Sequence, residues 1–109
     1  MKIINTDRPV KIDAYADYLG QKLNTLFKLH RKKDLSFEIR TTGNAIEILQ
    51  PAMYDGFLFR LEFKGNEIDV IKSEHYTDDV NVLTLEDILN NLYFEFPGRD
   101  NIEIIKEHS

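Results

Sequence analysis

Cysteine is absent from this chain of 109 residues, and several kinds of site are excluded with it. Without a thiol there is no disulfide bond, no thiolate nucleophile and no cysteine-ligated zinc. A chain of this length buries about 60–70% of its unfolded surface, so it can fold without such cross-links. Lack of cysteine is also typical of a reducing compartment. We predict a single globular domain spanning residues 1–109.

Long apolar runs are also absent. No stretch approaches the ~18 residues of a membrane span. The opening residues, MKIINTDRPV, contain only two adjacent isoleucines, where a signal peptide needs an apolar stretch of roughly 7–15 residues. We therefore expect a soluble, unprocessed, cytoplasmic protein. Isoleucine outnumbers alanine twelve to four, which is typical of an AT-rich genome and favours a bacterial or phage origin.

Positive charge is scarce in the larger, second part of the chain. Residues 1–34 carry eight Lys or Arg and four Asp or Glu, whereas residues 35–109 carry six and fifteen. The two parts have formal charges of +4 and −9, which together give the net −5. Between Ser73 and Gly98 there are six acidic residues and no Lys or Arg. Such asymmetry bears on partners rather than on fold.

The first clear pattern is a helix that follows Pro9. Seven apolar residues fall within about 120° of a helical wheel, namely Ile12, Tyr15, Ala16, Leu19, Leu23, Leu26 and Phe27. Asp7 or Asp13 could cap its start. His30 falls inside the apolar arc, whereas Tyr18 and Leu29 lie on a flank outside it.

The same helix ends in the most basic run of the chain, KLHRKK (28–33). Cations in a last helical turn offset the negative end of the helix dipole, and we take this as the main role of the run. The alternative is direct nucleic-acid binding, for which the candidate residues are Lys28, Arg31, Lys32 and Lys33. Nucleic-acid binding requires further basic or stacking residues on the same face. The outward strand positions instead mix arginine and lysine with glutamate and aspartate.

Four segments with period-two alternation follow and predict an antiparallel meander with one solvated face. They are LSFEIRT (35–41), AIEIL (45–49), FLFRLEFK (57–64) and EIDVIK (67–72). Alternation places Phe57, Phe59 and Leu61 inward, and it leaves Leu49, Leu58 and Ile71 as apolar residues on the solvated face.

A second helix is predicted in VLTLEDILNNLYFEFPG (82–98). Thr84 and Asp87 form a variant of the capping box, and Leu83 with Ile88 forms a hydrophobic staple. The buried stripe comprises Leu85, Ile88, Leu89, Leu92 and Phe96. KII (2–4) and NIEIIK (101–106) are candidate terminal strands, which could lie at sheet edges open to a second subunit.

These elements predict an α+β fold. The order is β-α-β-β-β-β-α-β, with a mainly antiparallel sheet of four to six strands and two helices on one face.

No pattern indicates catalysis or a bound cofactor. The loop EHYTDD (74–79) is the one place where histidine and carboxylates gather, as Glu74, His75, Asp78 and Asp79. It lacks the spacing of a known metal loop. No serine lies in a nucleophile elbow, and no glycine-rich loop could cradle a phosphate. We therefore predict a non-enzymatic protein with no cofactor and no metal.

The expected function is that of a small protein-binding module. We expect it to dock through its acidic second half on a basic partner, or to form a homodimer, and we expect no membrane partner. The candidate contacts are Phe94, Tyr93, Asp87, Glu86, Asp78, Asp79 and Tyr76. Phe94 is the leading candidate because it points away from the buried stripe. An inhibitor or nucleic-acid mimic from a phage or mobile element is the main alternative within this class.

Overall fold

The structure, a computed structural model, describes residues 2–6, 9–31, 35–95 and 102–107, without the side chains of residues 94, 95 and 102–107. The elements are β1 (Lys2–Thr6), α1 (Ile12–Arg31), β2 (Glu38–Thr42), β3 (Ala45–Leu49), β4 (Phe57–Lys64), β5 (Glu67–Lys72), α2 (Val80–Glu95) and β6 (Ile102–Glu107). This is the predicted α+β order, and it is confirmed.

All six strands belong to one antiparallel sheet, in the order β2-β3-β4-β5-β1-β6. Strands β2 to β5 form the predicted meander. Tight turns join β2 to β3 and β4 to β5, and in each turn a glycine has positive φ, which residues with a Cβ rarely adopt. The two terminal strands pair with each other. Strand β1 is therefore an interior strand, and β6 is an edge.

Both helices contribute to one hydrophobic core on a single face of the sheet. The core joins Leu19, Leu23 and Phe27 of α1 to Leu85 and Leu89 of α2 and to alternate residues of the strands. Those strand residues include Ile4, Ile46, Ile48, Phe59, Leu61, Ile68 and Val70.

The flank of α1 that faces α2 differs from the sequence prediction. Tyr18 is buried, and its hydroxyl donates a hydrogen bond of 2.9 Å to the carbonyl of Leu92. Helix α2 covers this flank, which periodicity within α1 alone could not reveal. His30, predicted to lie in the apolar arc, is exposed. Residues 28–30 are all exposed, so the last turn of α1 lies outside the core.

A β-bulge changes the predicted alternation at the start of β4. Leu49 pairs with Phe57, but Ile48 pairs with Phe59, so Leu58 is an extra residue in the ladder. Leu58 is fully buried in the core rather than on the solvated face, and that prediction is wrong. The register instead places Phe57 opposite Leu49, on the outer face. Leu49 is itself 7% exposed, so it is not an accessible apolar residue.

The outer face of the sheet carries paired charges. Arg60 lies 2.7 Å from Glu47 and 3.0 Å from Glu62, and Lys64 lies 2.8 Å from Asp69. These cross-strand and same-strand pairs neutralise most of the basic side chains on this face, as the mixed composition predicted.

Among the described residues, neither helix is both long and apolar enough to cross a membrane.

Candidate functional site

Helix α2 begins five residues earlier than the sequence pattern indicates. Asp79 caps it, since its Oδ1 accepts hydrogen bonds from the backbone N–H groups of Asn81 at 2.8 Å and Val82 at 3.1 Å. Thr84 lies inside the helix and donates through its hydroxyl to the carbonyl of Val80 at 2.9 Å. The prediction that Thr84 is the cap is therefore wrong. Both residue types suit a cap, and Val80, Asn81 and Val82 are weak helix formers, so the local sequence favoured the later start.

Two loops are joined beside this cap. Tyr54 donates its hydroxyl hydrogen to Asp79 at 2.9 Å, and the rings of Tyr54 and Tyr76 meet edge-on with centroids 4.8 Å apart. The Tyr76 hydroxyl in turn accepts a hydrogen bond of 2.9 Å from the backbone N–H of Asp55. The loop after β3 and the loop before α2 therefore form one connected surface.

The earlier start of α2 creates an apolar and acidic strip on the helix, which we call the α2 outer face. It comprises Val80, Leu83, Asp87 and Asn91, all exposed and all within about 80° of the helical wheel. Val80 is 55% exposed and Leu83 is 43% exposed. Sequence reasoning missed Val80, because a helix capped by Thr84 leaves it in the preceding loop. It placed Leu83 in a hydrophobic staple with Ile88, and that prediction is wrong, since Leu83 lies inside the helix and is 43% exposed. The spacing of three residues between Val80 and Leu83, which is typical of one face of a helix, was the signal in the sequence that could have identified them.

Phe94, the leading sequence candidate, has a side chain outside the described part of the structure. Its position is helical, because α2 continues to Glu95. The helical period puts position 94 in line with Leu83 and Asp87.

The other predicted contact residues are only partly brought together. Asp87 and Asp78 are exposed. Tyr93 is 1% exposed, and this burial, with a smaller contribution from Glu86, raises its pKa far above the usual value. The prediction that Tyr93 is a surface contact is therefore wrong. Asp79 already accepts the hydrogen bonds of the helix cap, and Tyr76 already makes the loop contacts described above.

Glu86 lies at the border of the α2 outer face and is half-buried. Its carboxylate accepts a hydrogen bond of 3.0 Å from the Lys72 ammonium group at the end of β5. This pair connects the helix to the edge of a neighbouring depression in the protein surface.

The depression, which we call the β4–β5 pocket, is lined by residues 55–57 and 71–75 and has a volume of about 460 Å³. The bulge contributes to the pocket because it places Phe57 on the outer face of the sheet, whereas regular alternation predicts that Phe57 faces the core. Asp55, Phe57 and Ile71 were not among the sequence candidates for a site. A bulge cannot be recognised from the sequence where both adjacent residues are apolar.

The basic residues proposed for nucleic-acid binding are dispersed. Arg31 is half-buried and directs its Nε toward the Oδ1 of Asn81, 3.3 Å away, so it ties the end of α1 to the start of α2. Lys28 is exposed. Lys32 and Lys33 lie outside the described residues. No basic side chain that the structure describes in the sheet completes a patch. Arg40, Arg60, Lys64 and Lys72 are paired with carboxylates, and Lys2 donates to the Oδ1 of Asn90.

A metal site was not predicted. In the described ranges, no group of three or more histidine, aspartate or glutamate side chains is arranged to hold a metal ion. His75, the histidine of the acidic loop, is exposed. Its backbone N–H donates a hydrogen bond of 3.3 Å to the Ser73 hydroxyl, and its ring meets that of Tyr76 edge-on with centroids 6.2 Å apart.

Comparison with known proteins leaves the site to be interpreted from its own chemistry. The chain matches no protein-family model, no curated protein and no solved structure.

Proposed function

We propose that this protein is a non-catalytic binding module that docks on a basic protein through the α2 outer face. The observation that carries the proposal is the exposure of Val80 and Leu83 beside Asp87 on one side of a helix whose opposite side is buried. A helix with anchors at such spacing can lie in an apolar groove of a partner.

Apolar anchors and acidic residues would have separate roles in this contact. A few fully desolvated side chains supply most of the binding energy of an interface, whereas surrounding charges speed association and select partners. The stretch from Ser73 to Gly98 contains six acidic residues and no Lys or Arg. A groove with basic edges is the complementary surface.

The proposal includes a cytoplasmic location and a bacterial or phage source, both supported by composition alone. A chain without cysteine suits a reducing compartment.

The test is capture of the partner from the native cell by immobilised protein, with matched surface variants. Val80→Ser combined with Leu83→Ser removes the apolar anchors. Leu29→Ser is the control, because Leu29 is 69% exposed and lies in α1 outside this face. Surface changes of this kind leave stability within about 0.5 kcal/mol, so all variants should remain folded.

We expect the wild type and Leu29→Ser to retain the same basic protein, and the double variant to lose it. Retention should also weaken as salt is raised, because exposed charges are screened. Equal capture by the double variant would contradict the assignment of this face. Retention that disappears on nuclease treatment would instead favour nucleic-acid binding through the basic end of α1.

A further inference from the structure

We propose that the β4–β5 pocket receives an arginine side chain of the basic partner. This inference rests on the proposed function and adds to it the residue type that the partner presents. The pocket combines an apolar wall with carboxylates, and Lys72 of its lining is ion-paired with Glu86 of α2.

The apolar wall depends on the bulge in β4. Because Leu58 is the extra residue, Phe57 lies in register with Leu49 on the outer face rather than in the core. Ile71 also lies on the outer face, since it pairs with Arg60. Phe57 and Ile71 are both half-buried and line the pocket. The volume of about 460 Å³ falls within the roughly 300–1,000 Å³ range of ligand sites.

The charge around the wall is negative. Asp55 and Glu74 are exposed, and neither carboxylate forms an ion pair with any residue that the structure describes. Lys72 also lines the pocket, but its ammonium group is bound to Glu86 at 3.0 Å. With histidine counted as neutral, the lining therefore presents two available carboxylates and one cation that is already paired.

An arginine side chain matches both features of the pocket. Its guanidinium group is planar, weakly hydrated and permanently charged, and it binds carboxylates through paired N–H donors. It also packs on aromatic faces, and its methylene stem covers apolar surface. A phosphate would meet two unpaired carboxylates, and a purely apolar ligand would desolvate them without supplying donors.

An ion pair connects the lining of the pocket to α2. Glu86, at the border of the α2 outer face, forms the ion pair with Lys72 in the pocket lining. The Asp55 backbone is held by the Tyr76 hydroxyl in the loop that leads into α2. A partner segment that covers Leu83 can therefore place a neighbouring arginine in the pocket.

The experiment is an NMR titration of the whole protein with Nα-acetyl-arginine amide. The matched probe is Nα-acetyl-citrulline amide, which has nearly the same shape but no charge. We expect amide signals of residues 55–57 and 71–75 to shift with the arginine probe and not with the citrulline probe. Glu74→Gln should weaken the binding of the arginine probe about two- to five-fold, as expected for the loss of an exposed ion pair.

Asp78→Asn is the control variant, because Asp78 is an exposed acidic residue of the same loop that does not line the pocket. It should bind the probe as the wild type does. Asp55→Ser is a second test, chosen over Asn because an Asn-Gly sequence deamidates back to aspartate. Equal shifts with both probes, equal loss in Asp78→Asn, or shifts produced only by inorganic phosphate would each overturn the arginine assignment.

The experiments can contradict either proposal without contradicting the other. If the arginine probe does not bind but Val80→Ser with Leu83→Ser still abolishes partner capture, the docking face stands and the pocket assignment is wrong. If the probe binds as expected but the double variant captures the partner normally, the pocket recognises arginine and the α2 outer face is not the docking surface.

Discussion

At the scale of single residues, Asp79 has a larger structural role than its place in an acidic loop indicates. Its Oδ1 accepts two backbone N–H groups of α2 and the Tyr54 hydroxyl. Asp79→Ala should lower the free energy of unfolding by about 1–3 kcal/mol, because it removes the cap and leaves a tyrosine hydroxyl without an acceptor. Urea unfolding monitored by circular dichroism measures the loss.

Thr84→Ala is the informative comparison for Asp79→Ala. Thr84 lies within the helix, where alanine is the better helix former, so this change should be neutral or slightly stabilising. A large loss at Thr84 and a small loss at Asp79 would mean that α2 starts at Thr84 after all. In that case, Val80 and Leu83 would not form part of a helical face.

Glu67 and Asp69 form a carboxyl pair on the outer face of β5. Asp69 is 3% exposed, and its Oδ1 has no hydrogen-bond donor among the described residues. A hydrogen bond from the Glu67 carboxyl group to Asp69 raises the pKa of Glu67. Burial alone would raise the pKa of Asp69, but hydrogen bonds from Lys64 and Glu67 outweigh it and lower that pKa.

The two shifts have opposite consequences for stability. The contribution of Asp69 is present above its unfolded pKa, near 3.9, and is lost as the pH falls through its lower folded value. The contribution of protonated Glu67 is present below its unfolded pKa, near 4.3, and is lost as the pH rises through its higher folded value. At neutral pH, two carboxylates therefore lie side by side with one buried oxygen unsatisfied.

Glu67→Gln should stabilise the protein at pH 7, because its amide N–H can donate to Asp69 at every pH. The gain should shrink toward pH 4, where wild-type Glu67 takes up its own proton. Urea unfolding at the two pH values measures this difference. Glu62→Gln is the control: it makes the same charge change but neutralises a carboxylate that is ion-paired with Arg60 at 3.0 Å. An equal gain in Glu62→Gln would show that only the lower negative charge matters.

At the scale of elements, the bulge in β4 determines which side chains reach the core. Leu58→Ala should cost about 2–5 kcal/mol of unfolding free energy, as is typical for a fully buried leucine. Leu29→Ala should change it by less than about 0.5 kcal/mol, because that leucine is 69% exposed. Thermal or urea unfolding of the two variants provides the comparison. A small effect at Leu58 would mean that β4 alternates regularly and that Phe57 faces the core.

Regular elements could be predicted from the sequence because their signals are periodic. Alternation in residues 57–64 identified a strand, and the apolar arc of α1 identified a helix whose core residues include Leu19, Leu23 and Phe27. Features that depend on one residue or on a distant element could not be predicted. Leu58 faces the core only because the register between β3 and β4 is irregular at this point. Tyr18 is buried by α2, which follows it by more than sixty residues in the chain.

The candidate site was predicted less well than the fold for the same reason. Acidity and the second helix were evident from composition and pattern, so Asp78 and Asp87 were identified as surface residues. The exposed Val80 and Leu83 depend on where the helix starts, which a single capping interaction decides. The β4–β5 pocket depends on the bulge and brings together residues about fifteen positions apart.

At the scale of the whole molecule, the charge distribution bears on what can cover the α2 outer face. A twofold dimer through this face would place each acidic residue opposite the same surface of a second copy, since such contacts are self-complementary. Asp78 and Asp87 are exposed beside the apolar pair, and the net charge is −5. Like charges at an interface oppose association. A second copy is therefore a poorer occupant than a basic protein.

Light scattering coupled to size-exclusion chromatography should accordingly show a monomer of 12.8 kDa at low salt, where repulsion is strongest. Strands β2 and β6, which are the edge strands of the sheet in the described part of the chain, offer the competing route to a dimer, since a free strand edge can pair with another chain. The two routes differ in their response to substitution. A dimer that Val80→Ser with Leu83→Ser dissociates would show that the α2 outer face binds a second copy. A dimer that survives those changes would involve a sheet edge and would leave the docking face available for a basic partner.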